Sequence, residues 1–430
     1  MYREDSEYEE HFRTGFAASV RRRLRSDSPV VAELSGGMDS SSIVCMADAA
    51  IASGIAETPR LDTISYYDDS EPNWNERPYF AEVEQRRGRR GFHIDVGSLE
   101  SPGFGLESSD FRVTPGSSIA ATGPDRQFAE WTISQGHRVL LSGIGGDEVT
   151  GGVPTPTPEL ADLLVSAQIK NLAHQLRQWA LSKRRPWFHL LVEVIQSFCP
   201  PALLGIAKHR CPAPWLNPRF VRRYHRALIG YDLRWRLLGP LPSFQEKLNT
   251  LEALRRQLAC SAVGVLPLHE KCYPYLDRDL LQFLFAVPPQ QLLRPDQRRS
   301  LMRRALVGIV PDAILNRKRK AHVGRGPRLA LSLRRSELTE LTRDMRSGML
   351  GILDPTTFRM ALADASLGKN IQIVPLLRAI GIEMWLRNFA SDNPPALRVA
   401  NSPSLSLIAE ASGRRRAETL KYFSAENNPK

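Results

Sequence analysis

The chain is expected to fold as an α/β protein. A parallel-sheet core is predicted over residues 1–155, a largely helical region over 156–390 and a polar, weakly ordered tail over 391–430. Three observations predict this. Four short apolar segments (residues 30–34, 61–67, 92–96 and 138–141) are separated by helical patterns such as 77–85 and 126–135. Strands alternating with helices imply right-handed crossovers and parallel neighbours. The first and the last of these segments run straight into glycine-rich turns, and parallel sheets bind ligands at the carboxyl ends of their strands.

Taken in order, the chain opens with Tyr8, Phe12, Phe16, Val20 and Leu24 at every fourth residue, one stripe of a helix. The strand Val30-Val31-Ala32-Glu33-Leu34 then meets Ser35-Gly36-Gly37-Met38-Asp39-Ser40. A helix follows, with Ile43, Val44, Met46 and Ala47 as its apolar positions. Glycines let the backbone approach a charged ligand, the serines add hydroxyl donors, and the free N–H groups of a helix start favour an anion. The loop lacks the lysine of GxxxxGK(S/T), which excludes that kind of nucleotide triphosphatase. The fourth strand leads to Ser142-Gly143-Ile144-Gly145-Gly146-Asp147-Glu148, with Gly151-Gly152 just beyond.

The character changes after Gly152. Pro154-Thr155-Pro156-Thr157-Pro158 reads as a stiff connector. Residues 159–258 are helical in pattern, broken at Pro186, Pro200-Pro201, Pro212, Pro214 and Pro240. Trp179, Trp187, Trp215 and Trp235 lie here and are expected to pack helices or line a substrate cleft. Residues 266–390 again read as helical, with loops at 288–289 and 318–327. No internal repeat is visible.

Ser-Gly-Gly-x-Asp-Ser resembles the pyrophosphatase loop of ATP enzymes that release pyrophosphate and transfer AMP. With SGxGGDExxGG as its partner, the chain resembles the asparagine synthetase family in its synthetase domain. His269-Glu270-Lys271-Cys272-Tyr273-Pro274-Tyr275-Leu276-Asp277 is similar to the family's E-x-R-x-P-F-L-D, and Val310 to Lys320 to its P-x-x-I-x-x-R-x-x-K. The resemblance runs from Glu9 to Asn388. It implies an adenine-nucleotide α-hydrolase-like (PP-loop) core. It also implies an AMP-forming carbon–nitrogen ligase that makes an amide bond through an acyl-adenylate, with ATP as substrate and Mg²⁺ as cofactor.

By the family pattern, Leu34, Ser35, Gly36, Gly37, Asp39, Ser40, Ser65, Ser142 and Gly143 bind ATP, and Asp39 and Asp147 hold the metal. Mg²⁺ takes oxygen ligands, usually one or two carboxylates beside the phosphates. Lys320 would steady the charge on the acyl oxygen and departing AMP, with Lys318 as the register alternative. Glu270 would orient or deprotonate the amine.

Three departures bear on the substrate. No cysteine-led glutaminase domain precedes Ser35, so glutamine is not the expected nitrogen source of this chain alone. Ile144 stands where the family has a glutamate or tyrosine, and Cys272 where it has arginine. The family includes lasso-peptide cyclases, which join a peptide's N-terminal amine to an Asp or Glu side chain and need no glutaminase. Macrolactam closure is therefore the expected reaction; asparagine synthesis with ammonia or a separate glutaminase, and a non-catalytic ATP-binding role, are the alternatives. The expected partners are a carboxylate substrate and an amine donor, carried by a precursor peptide, and a partner protease or glutaminase.

Composition bounds the rest. The 430 residues are 42% apolar and 24% charged, ordinary for a globular protein with a large core. No run of apolar residues is long enough for a transmembrane helix, and the acidic start does not read as a signal peptide. Cys45, Cys199, Cys211, Cys260 and Cys272 form no C-x-x-C pair, so reduced thiols, a cytoplasmic location and no structural zinc are expected. The net charge of +12 is assigned to solvated helix faces, Arg21-Arg22-Arg23 and Arg298-Arg299 among them, and to an ATP cleft. Without interleaved aromatic residues, nucleic acid is not an expected partner. For the same want of a cysteine pair, an RNA-modifying enzyme with this loop is not favoured.

Overall fold

The computed structural model describes residues 2–71, 76–97, 115, 123–153, 155–199, 212–224, 234–261, 269–317, 331–369 and 371–389. Lys318, Lys320 and the 391–430 tail lie outside the described residues.

A five-stranded sheet forms the centre, with strands β1 (Val30–Glu33), β2 (Leu61–Tyr67), β3 (Phe92–Asp95), β4 (Val139–Leu141) and β5 (Glu270–Cys272). The order is β3-β2-β1-β4-β5 and every pairing is parallel. Val30 lies opposite both Leu61 and Val139, and Leu141 opposite Cys272. The chain winds outward from β1 to β3, then returns to place β4 on the other side of β1. That reversal opens a crevice at the carboxyl ends of β1 and β4, the place where such sheets take ligands.

The four strands expected from the sequence are present. The fifth corrects the reading of 266–390 as helical: β5 is three residues long, too short to show a period of its own. It also comes from beyond the expected boundary at 155, so the sheet draws on both parts of the chain.

Helix α1 (Asp5–Arg22) lays Tyr8, Phe12, Phe16 and Val20 into the core. They pack against α2 (Met38–Ala52) and the helix Ser300–Ala305. The Phe16 ring stacks on Tyr275 at 4.9 Å, which ties the first helix to the segment after β5. Each such buried side chain stabilises the fold by about 1.5–3 kcal/mol. Helix α3 (Arg77–Arg87) sends Phe80 and Val83 into the same core. On the opposite sheet face, Val31, Ile64, Ile94 and Leu140 are covered by α4 (Gly123–Gln135), whose Trp131 stacks on Phe92 at 4.7 Å.

Apart from β5, the described residues of the second half are mainly helical. After the short α5 (Gly146–Val149), helices α6 (Thr157–Val165), α7 (Ile169–Lys183) and α8 (Trp187–Gln196) enclose Leu160, Leu172, Trp179 and Leu190. Part of the proline-rich connector is itself helical, because Pro158 falls in the first turn of α6, where a missing N–H costs nothing. A separate core forms around Trp215, Leu341, Phe358 and Ile380. Trp179, Trp215 and Trp235 are buried packing residues, whereas Trp187 is 54% exposed. Among the described residues no helix is long and apolar enough to cross a membrane.

Candidate active site

The loop after β1 is fixed from both sides. The Leu34 amide donates to the Ile64 carbonyl at 2.8 Å, and the Ser65 hydroxyl donates to the Leu34 carbonyl at 2.7 Å. The Ser35 amide donates to Ser40 Oγ at 3.1 Å, and the two hydroxyls lie 3.0 Å apart. Gly36 has φ of 69°, and a Cβ there would stand 2.8 Å from the Phe80 amide nitrogen. Glycine is thus required twice over, by the left-handed backbone and by the approach of α3.

The second glycine-rich turn, after β4, presses on the start of α2. A Cβ at Gly146 would lie 2.3 Å from Asp39 Oδ1, so only glycine lets the two turns close. The turns bring Asp39 and Asp147 to one cation, the guanidinium of Arg299. Its Nη2 donates to Asp39 Oδ2 at 2.5 Å and also to Asp147 Oδ1. Arg299 is 4% exposed. Its backbone has φ of 56°, a left-handed conformation that costs about 1–3 kcal/mol in a non-glycine residue. Its amide donates to the Gly151 carbonyl at 3.1 Å, so the glycine pair after the second turn holds the arginine in place.

Around this point lies an open cleft of about 480 Å³. One wall is Leu34, Ser35, Gly37, Asp39, Ser40, Gly143, Ile144, Asp147 and Glu148; the other is Gln257, Arg298, Arg299, Arg303 and Arg317. Arg317 donates to the Gly36 carbonyl at 3.0 Å and lies over the Tyr79 ring, bridging the walls.

Most of the sequence-derived residues meet here. Ser65 and Ser142 stand one layer behind the lining. Ser142 donates to Glu33 Oε2 at 2.6 Å, and Glu33 Oε1 accepts from Lys271 at 2.8 Å. Glu270 is not brought to the cleft. It starts β5 opposite Val139, is exposed, and lies within 3.8 Å of the Cys272 thiol. The register puts it near the amino end of the sheet, away from the turns. Burial and the nearby Glu270 carboxylate push that thiol up to about 11.

Arg299 itself was read as part of a solvated helix face, and the structure corrects this. A signal was there: Arg298-Arg299 stands one residue before the apolar pair Leu301-Met302, at the start of a helix whose other face is buried.

The residues fit a divalent cation. Two carboxylates converge on one positively charged nitrogen, a donor pair of the kind a divalent cation takes. Among the described residues no group of three or more metal-ligating side chains occurs. Two protein carboxylates, with phosphate and water completing the shell, is the usual provision for Mg²⁺.

Among solved structures, the chain is similar to the U34-tRNA thiolase NcsA from Methanococcus maripaludis with its 4Fe-4S cluster. Identity is 11% over 57% of this chain and 80% of that one, at a TM-score of 0.23, a likeness too slight to say anything of this protein. No curated protein matches the sequence. The asparagine synthase family model matches residues 11–197 and 254–387, most of the chain and both glycine-rich turns, and so the chain belongs to the asparagine synthase family.

Proposed function

We propose that the protein activates a substrate carboxylate with ATP and joins it to an amine. A carboxylate oxygen attacks the α-phosphorus of ATP. The bond to the bridging oxygen breaks, and pyrophosphate leaves with the electron pair. The amine nitrogen then attacks the acyl carbon and gives up a proton, and AMP departs. The observation that carries this reading is the convergence of Asp39 and Asp147, from two turns, on Arg299 within one cleft.

Asp39 and Asp147 would hold Mg²⁺, which when bound neutralises phosphate charge. The Ser35–Ser40 loop would hold the phosphates through backbone N–H groups and hydroxyls. Arg299 would turn from the carboxylates to the phosphates, with Arg298, Arg303 and Arg317 as fixed positive charge where negative charge builds. Lys320 is proposed as the cation at the acyl oxygen. The amine's proton is left unassigned, since Glu270 lies outside the cleft lining.

The finer reading is that acid and amine belong to one peptide, closed into a macrolactam. Its support is Ile144, which lines the cleft and cannot transfer a proton; this sets the site apart from one built for free aspartate. Asparagine formation from ammonia is the alternative.

The test is ³¹P NMR of ATP and Mg²⁺ incubated with the protein and hydroxylamine as amine. Aspartate, glutamate and peptides with an internal acidic residue serve in turn as carboxylate. AMP, pyrophosphate and a hydroxamate are expected in equal amounts. ADP and phosphate as sole nucleotide products would overturn the reading. A hydroxamate from free aspartate but from no peptide would favour the alternative.

A further inference from the structure

Behind the arginine wall lies a second cleft of about 730 Å³. Its far side is the end of α7, with Trp179, Ser182 and Lys183; its near side is drawn from residues 294–317. Arg298, Arg303 and Arg317 line this cleft and the nucleotide cleft alike. The two spaces therefore share a wall made of guanidinium groups.

The charges on that wall are not equivalent. Arg294 and Arg304 are turned toward α1: Arg294 pairs with Asp5 at 2.6 Å, and Arg304 with Asp5 at 3.1 Å and with Glu9. Arg303 differs. Its Nε donates to the Arg298 carbonyl at 2.9 Å and its Nη2 to the Arg317 carbonyl at 3.0 Å, both backbone groups. Burial, with Arg298 and Arg299 close by, holds its guanidinium below the usual arginine range. Like charges held together in a partly buried wall repel one another, and a small polyanion in contact with them would relieve that repulsion. Two carboxylates line the cleft. Asp296 accepts from Ser182 at 2.7 Å, and Asp312 begins the short helix Asp312–Leu315.

We propose that this second cleft binds inorganic pyrophosphate, taking it from the nucleotide cleft past Arg298, Arg303 and Arg317 toward Lys183. The assignment of pyrophosphate as the passing product rests on the AMP-forming reading above. The shared arginines would first meet the outer phosphates of ATP and then the freed diphosphate. Lys183, the last residue of α7, lines only the second cleft and sets its far limit.

The test is calorimetric, on the full chain. The nucleotide cleft is first filled with the Mg²⁺ complex of α,β-methylene-ATP, which cannot release pyrophosphate, and pyrophosphate is then titrated in. One pyrophosphate should bind beside the analogue. Lys183→Glu should weaken it by about tenfold or more, since reversing one contacting charge commonly exceeds 1.4 kcal/mol, while the analogue binds as before. Lys183→Gln should give a smaller loss in the same direction. No binding once the nucleotide cleft is full, unchanged binding in Lys183→Glu, or equal binding of sulfate would each overturn the proposal. If the analogue itself does not bind, the nucleotide reading fails. Pyrophosphate titrated alone into wild type and Lys183→Glu then decides the second cleft separately, with loss in the variant supporting it and no difference overturning it.

Discussion

The two walls of the nucleotide cleft are built by opposite rules. The glycine-rich wall comes from two short segments, each complete in a handful of consecutive residues: strand, turn, helix start. Its geometry is local, set by backbone φ at Gly36 and by the missing Cβ at Gly146. The arginine wall comes from chain 260 positions further on, measured from Asp39 to Arg299. Nothing in its own stretch makes a turn for a ligand. Its meaning arises only when the sheet brings it against Asp39 and Asp147.

The largest expected effect on turnover concerns Lys320, which lies outside the described residues. Lys320→Ala should bind ATP nearly as well and lose turnover by a hundred- to a thousand-fold, about 3–4 kcal/mol, if it acts mainly in the transition state. Lys320→Arg should rescue little, because a planar fork does not replace a compact ammonium. Lys318→Ala should be mild. Steady-state kinetics beside equilibrium ATP binding reads this. A dead Lys318 variant with an active Lys320 variant moves the role by two residues.

Next is the contact between the walls. Arg299→Met leaves two carboxylates facing each other without their cation, and breaking a buried pair in this way costs about 3–5 kcal/mol. Mg²⁺ should restore part of this, so the metal should raise the melting temperature of the variant more than that of wild type. Equal effects of Mg²⁺ on both would break the equivalence between guanidinium and metal.

Much of the first wall was legible in the sequence, and almost none of the second. Ser35–Ser40 and Ser142–Asp147 announce themselves because turns of fixed shape need fixed residue types. The stripe from Tyr8 to Leu24 was legible because a helix repeats its buried face. β5 was hidden by its length, and Glu270 by register: the motif around it is recognisable, but only pairing with β4 decides which end of the sheet it occupies. Arg299 was hidden because a run of arginines reads alike whether it faces water or two carboxylates.

A further variant breaks the glycine-rich wall. Gly146→Ala puts a methyl group into Asp39, at a cost of about 3 kcal/mol if the turn cannot shift. ATP affinity and thermal stability should fall together. Wild-type affinity in this variant would show that the turns need not close.

The smallest effect is a control at the other end of the strands. Burial pushes the Asp62 carboxyl up, but bonds from His137 and Arg60 outweigh it and hold it at about 2. A folded pKa below the unfolded one adds stability above the ordinary carboxylate range, which is lost as pH falls from about 4 through 2. Solvent screening of the half-exposed arginine partners keeps the amount to about 1 kcal/mol. Asp62→Asn should flatten that part of the acid-unfolding curve and leave ATP binding alone.

The central claim is that Asp39 and Asp147 form a single metal–nucleotide locus that Arg299 holds in advance. Titration calorimetry of Mg²⁺ with α,β-methylene-ATP into wild type, Asp39→Asn and Asp147→Asn tests it most directly. The prediction is one site in wild type, weakened by about a hundredfold in each variant, since a buried charge loses its partner. Undiminished affinity in both variants, with the fold intact by circular dichroism, would contradict it.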